Sequence, residues 1–195
     1  VSVTSPTPLV QRSLEAGSGG DGALVVQNRG EVPLYTRLIL SGLPPVGREK
    51  EASNGLRVSV AYQTTEGDEL DPGRLDQGTD FKALVTVTST GERGDYEQIA
   101  LSHVVPSGWE IHNERLGPGG RRAATRFDYQ DIRDDRVYTY FALKAGETKT
   151  VELRLNASYL GRFYLPPVSV EAMYDATINA RVVGRWVEVV EAGRH

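Results

Sequence analysis

Apolar and polar side chains alternate with a period of two along most of the apolar stretches of this chain. Leu56, Val58, Val60 and Tyr62 are set against Arg57, Ser59, Ala61 and Gln63, the pattern of a strand with one face on a core. Phe81, Ala83, Val85 and Val87 repeat it, as do Val137, Thr139, Phe141 and Leu143, then Val151, Leu153, Leu155 and Ala157. A further strand is expected from Arg185 to Val190. Between these runs lie turn signals that interrupt any helix: Asn54-Gly55, Asp71-Pro72-Gly73, Gly117-Pro118-Gly119-Gly120, Ala145-Gly146 and Pro166-Pro167. No long window carries the 3.6-residue period of a helix, although Tyr174 to Asn179 has room for one helical turn. The pattern predicts an all-β protein built as an antiparallel β-sandwich.

The first fifty residues read differently. A Gly/Ser-rich stretch at Gly17 to Gly22 precedes expected strands near Ala23 to Gln27 and Leu34 to Leu40, joined by a hairpin turn at Asn28-Arg29-Gly30. Leu43-Pro44-Pro45-Val46-Gly47 then reads as a linker, and Arg48-Glu49-Lys50-Glu51 as a solvated connector. A domain boundary is expected between about Gly42 and Asn54. The 195 residues suffice for one sandwich and a smaller companion.

Composition narrows the function classes. The net charge is −4, and the 22 basic residues are dispersed without forming the stripe that a nucleic-acid face requires. Cysteine is absent, which excludes disulfides, thiolate metal sites and cysteine nucleophiles. The histidines His103, His112 and His195 are too scattered to build a metal site in their place. No apolar run approaches the roughly 20 residues needed to span a bilayer. A soluble monomer is expected, and the start at Val1 without an initiator Met suggests an excised or processed piece.

Candidate chemistry is sparse. Asp128, Asp131, Asp134 and Asp135 cluster, but without the spacing of a calcium loop, and Arg133 and Arg136 interleave them as surface ion-pair partners. Ser102-His103 and Ser107 lack a nucleophile elbow, and neighbours on a strand face opposite ways. Asn156-Ala157-Ser158 matches a glycosylation sequon, a tripeptide common by chance. Trp109 and Trp186 read as core or edge aromatics. Met173-Tyr174 closes the alternation that begins at Val168. This pair either finishes a core strand or stands at a sheet rim, where a thioether and a phenol ring suit a partner surface that must stay dry.

Three segments carry a family resemblance. Glu171 to Arg181 with Gly184-Arg185-Trp186-Val187-Glu188-Val189 resembles the C-terminus of bacterial alpha-2-macroglobulins, and Tyr129 to Phe141 and Pro33 to Leu38 resemble the same family. The resemblance implies that residues 49–195 form the last, macroglobulin-like domain, with residues 1–48 holding short strands of a CUB-like domain and a linker.

The resemblance also implies a role. Such proteins resemble protease traps in which cleavage of a bait region triggers rearrangement and exposes a Cys-Gln thioester. In thioester-bearing members a Met-Tyr pair of the final domain covers that bond, and the matching residues here are Met173 and Tyr174. The implied partners are the thioester domain of the same polypeptide, the proteases that the whole protein traps, and a peptidoglycan-synthesising penicillin-binding protein. The implied location is the periplasm, with a lipid anchor at a distant N-terminus. No catalytic residue, metal or cofactor is expected. The alternative is an immunoglobulin-like adhesion or carbohydrate-binding module. A second rival is an enzyme using the Asp128 to Asp135 acids.

Overall fold

The computed structural model describes residues 9–13, 25–39, 45–112 and 127–193. The chain divides into two compact units, Val1–Gly42 and Leu43–His195. In the first, the turn at Asn28 forms: its Oδ1 accepts from the Gly30 N–H at 2.9 Å, and its Nδ2 donates to the Val32 carbonyl at 2.8 Å. The strands expected on either side do not form over residues 25–27 and 34–39, while Ala23, Leu24 and Leu40 lie outside the described residues, as does the Gly17 to Gly22 stretch. The physical reason is that Val25, Leu34, Tyr35 and Ile39 are all exposed. An isolated hairpin that buries no apolar face is marginal in water.

The second unit is built from strands, and no helix occurs among the described residues. They are β1 (Ala52–Asn54), β2 (Leu56–Thr64), β3 (Arg74–Asp76), β4 (Asp80–Ser89), β5 (Tyr96–Val104), β6 (Trp109–Ile111) and β7 (Tyr129–Ile132). There follow β8 (Arg136–Leu143), β9 (Thr148–Ala157), β10 (Gly161–Leu165), β11 (Val168–Ala172), β12 (Asp175–Val182) and β13 (Arg185–Val190). One sheet runs β1-β12-β11-β5-β8-β7, a second β2-β4-β9-β6, and a third β10-β13-β3. The pairings are antiparallel except that β13 and β3 run parallel.

The four-stranded sheet forms one layer of the sandwich and faces both of the others. Toward one end Leu56, Val85, Val87 and Val151 meet Ile99, Leu101, Phe141, Leu143 and Val170 of the six-stranded sheet. Toward the other end Phe81, Ala83, Leu153 and Leu155 meet Leu75, Leu165, Val187 and Val189 of the three-stranded sheet. Trp109 fills that second region, its ring edge-on to Phe81 at 4.9 Å between centroids and to Tyr62 at 6.1 Å. On β4, β8 and β9 every second residue is buried, as the alternation requires. On the edge strand β2, Val58, Val60 and Tyr62 are only half-buried.

The turns follow the local chemistry. Gly146, at φ +73°, lets the β8–β9 hairpin close with Glu147 N–H on the Lys144 carbonyl at 2.9 Å. Pro166-Pro167 carries the chain from β10 in one sheet to β11 in another. The Gly117 to Gly120 turn signal lies outside the described residues. The helical turn allowed after Met173 is replaced by β12, because Ile178 and Ala180 alternate inward with Asn179 and Arg181 between and beyond them.

Candidate functional site

Met173 and Tyr174 form the two-residue tip of the hairpin between β11 and β12. Met173 is 50% exposed and Tyr174 84%. Neither finishes a core strand. The hairpin does not close with the mirror-image turn usual for two-residue loops, which needs φ > 0, because neither residue takes a positive φ. Instead the register jumps: Glu171 pairs with Asn179, but Ala172 pairs with Asp175. Ala176, Thr177 and Ile178 therefore stand outside the β11 register as a bulge, a device that re-aims a strand end.

Side chains from several elements hold this bulge. Asp175 Oδ1 accepts from the Thr177 N–H at 3.0 Å and from the Thr177 hydroxyl at 2.6 Å. Those bonds, the hydroxyl's first, keep the Asp175 carboxyl below the usual aspartate range, with the nearby Arg93 charge adding to them. Asn179 Nδ2 donates to the Ala176 carbonyl at 2.9 Å, and Asn54 Nδ2 donates to the Thr177 carbonyl. Arg93 reaches across from the β4–β5 loop to the Thr177 hydroxyl at 3.3 Å. The tip itself is pinned where the Met173 N–H donates to the Gln98 carbonyl at 3.0 Å. Ile178, 6% exposed, anchors the bulge in the core.

The other candidates are not brought together. Asp131 pairs with Arg133 Nε at 3.0 Å, and Asp135 Oδ1 accepts from Arg136 Nε at 2.8 Å, all on exposed or half-buried surface. Among the described residues no group of three His, Cys, Asp or Glu side chains could hold a metal ion. His103 is 3% exposed and its Nε2 has no hydrogen-bond partner among the described residues, while Ser102 faces the other way and Ser107 is exposed in a loop. Burial lowers the His103 pKa to about 4, leaving a neutral ring in the core. The sequon residue Asn156 is engaged by the protein itself, donating to Asp80 Oδ1 at 2.8 Å and to the Gly78 carbonyl at 3.2 Å.

Sequence reasoning missed one surface cluster. Trp186 is 50% exposed on β13, edge-on to Tyr164 at 5.6 Å, with the Arg162 guanidinium 4.7 Å above its ring. The Tyr164 hydroxyl donates to Glu49 Oε2 at 2.6 Å and accepts from the Gly47 N–H at 3.2 Å, so it ties residues 47–49 to β10. The signal was present as alternation of Arg162 and Tyr164 with Phe163 and Leu165, but their pairing with Trp186 depends on register. The Asp175-Ala176-Thr177 clamp was missed as well, although Asp commonly bonds its own backbone two residues on and the spacing offered that signal.

The description of the bacterial alpha-2-macroglobulin MG10 domain fits residues 55–176, which is more than half of the chain and includes the hairpin tip. The chain belongs to the bacterial alpha-2-macroglobulins. Alpha-2-macroglobulin of Xylella fastidiosa is 29% identical over 199 residues, covering 94% of this chain and 12% of that protein. That of Pasteurella multocida is 24% identical, covering 91% and 9%. This alpha-2-macroglobulin segment thus spans about an eighth or less of the length of these relatives. Among solved structures, Salmonella alpha-2-macroglobulin reacted with methylamine matches at TM-score 0.63 and 21% identity, covering 73% of this chain and 10% of that one. The native conformation of Escherichia coli alpha-2-macroglobulin matches at TM-score 0.66 and 17% identity, covering 76% and 10%. At these identities the structural likeness establishes the macroglobulin-like sandwich fold.

Proposed function

We propose that residues 49–195 are the C-terminal macroglobulin-like domain of a protease-trapping alpha-2-macroglobulin, a non-catalytic module that shields a thioester carried by a neighbouring domain of the same polypeptide. Met173 and Tyr174 are the shield. The observation that carries this reading is the placement of an 84% exposed tyrosine beside a half-exposed methionine on a hairpin tip held by hydrogen bonds from three other elements. A large ring held out in water gains free energy only when something covers it.

A thioester is an activated acyl group whose lifetime depends on excluding water and amines. A close-packed phenol and thioether over the bond remove the nucleophile and leave the bond intact. The chain has no cysteine, so the reactive sulfur belongs to another part of the parent. Inter-domain contacts are usually modest in area, so protease cleavage elsewhere can release the cover by rearrangement. The Salmonella relative was crystallised after reaction with methylamine, a small amine of the class such a lid must exclude. On the same reading residues 1–48 complete a CUB-like domain, forming strands once paired with the rest of it, and the parent acts on proteases in the periplasm.

The test is the rate at which methylamine releases a thiol from the full-length parent. Tyr174→Gly should raise that rate roughly tenfold or more, the scale set by removing a buried aromatic anchor. An unchanged rate refutes the lid. For the adhesion or carbohydrate-binding alternative, binding of a glycan array by the isolated chain is the positive result. The exposed aromatics of the second unit, Tyr129, Tyr159, Tyr174 and Trp186, lie on β7, in the β9–β10 loop, on the β11–β12 tip and on β13.

A further inference from the structure

We infer that Asp175, acting through Thr177 and braced by Arg93, is a positioning residue that fixes the Met173–Tyr174 tip before it docks. This rests on the lid reading above. The hairpin carries three residues outside its own register, Ala176 to Ile178, directly beside the tip. Unrestrained, such a bulge leaves the tip free to swing, and ordering a free loop on docking opposes binding. Here the bulge is clamped from within by the two bonds of Thr177 to Asp175 Oδ1. From outside it is held by Asn54 of β1 and Arg93 of the β4–β5 loop.

The β4–β5 loop is shaped for this reach. Gly91 and Gly94, at φ +80° and +83°, bracket Glu92-Arg93 and turn the loop back on both sides of the arginine. The brace is polar and exposed, whereas the opposite side of the bulge is fixed by the buried Ile178. Tyr174 lies between the bulge and the Met173–Gln98 bond, so the backbone is held on both sides of the side chain left in solvent. An acceptor at Asp175 Oδ1 is the required chemistry, because both donors converge on that single atom.

The inference is tested in the full-length parent by methylamine-triggered thiol release, with Tyr174→Gly as reference. Asp175→Ala removes the acceptor of both Thr177 bonds and should speed release by roughly fivefold to tenfold, the net scale of an ordinary hydrogen bond at an exposed site. Asp175→Asn keeps an oxygen at the same atom and should restore a rate near that of the parent. Amide exchange in the 195-residue chain gives a readout independent of any thioester. Asp175→Ala should speed exchange over residues 173–178 and leave β4 and β9 protected. If Tyr174→Gly is fast while Asp175→Ala matches the parent, the brace is refuted and the lid stands. If Tyr174→Gly itself matches the parent, lid and brace fall together. Equal acceleration by the Ala and Asn variants, or exchange rising throughout β4 and β9, also overturns the positioning role.

Discussion

Replacing His103 with leucine should remove most of the acid sensitivity of this domain between pH 7 and pH 5. His103 lies on β5 with Val137 opposite it on β8, in a row with Ile99 and Leu101, and its Nε2 finds no partner among the described residues. Burial lowers its pKa from 6.5 to about 4, so the folded state keeps the ring neutral while the unfolded chain takes up a proton below about 6.5. The unfolded state therefore binds more protons between these two values, and stability falls as pH drops through that window. At about 1.36 kcal/mol for each pH unit, the loss from this one residue between pH 7 and pH 5 comes to about 2 kcal/mol. Urea unfolding followed by tryptophan fluorescence measures it. The wild-type chain should lose about 2 kcal/mol more than His103→Leu over that interval. A difference between the two proteins that is the same at pH 7 and pH 5 would mean that His103 titrates like a solvated imidazole, and the account of its burial would be wrong.

Two further outcomes follow from the surface cluster. A Cβ at Gly184 would lie 2.3 Å from the Tyr164 hydroxyl and 2.6 Å from the Leu165 carbonyl oxygen. The backbone oxygen has little freedom to move, so Gly184→Ala should lower stability by about 1–3 kcal/mol, visible as a reduced Tm; an unchanged Tm refutes the close approach. Tyr164→Phe removes the hydroxyl that holds Glu49 and Gly47. It should speed tryptic cleavage after Arg48 and Lys50 while leaving the unfolding transition in place, and equal cleavage rates refute the tether.

The residues themselves show why parts of this molecule were legible in advance. On β4, β8 and β9 the alternation of Phe81 to Val87, Val137 to Leu143 and Val151 to Ala157 maps directly onto buried and outward faces, because a strand's side-chain period is fixed by its backbone. The β5 strand was less visible, since its register shifts between Tyr96 and Ile99 and breaks the two-residue rhythm. Asp131 and Asp135 were readable as ion-pair partners because their arginines are one or two residues away. Tyr164 and Glu49, which are 115 residues apart, could not be joined by any local pattern.

By itself the sequence determined the all-β class, the inward-facing rows of β4, β8 and β9 and the absence of thiol chemistry in this chain, all of which depend on short-range periodicity or on composition. The tertiary structure decided how three sheets share two core clusters, that β13 and β3 run parallel, and that β12 is a strand where a helical turn had been open. It also decided whether Met173 and Tyr174 end inside or outside. Both readings satisfy the same alternation, and the choice depends on a register jump between Glu171 and Ala172 that is stabilised by Asn54, Arg93 and Gln98 from distant parts of the chain. Periodicity specifies which face a residue takes, while only the packed neighbours specify where a face ends.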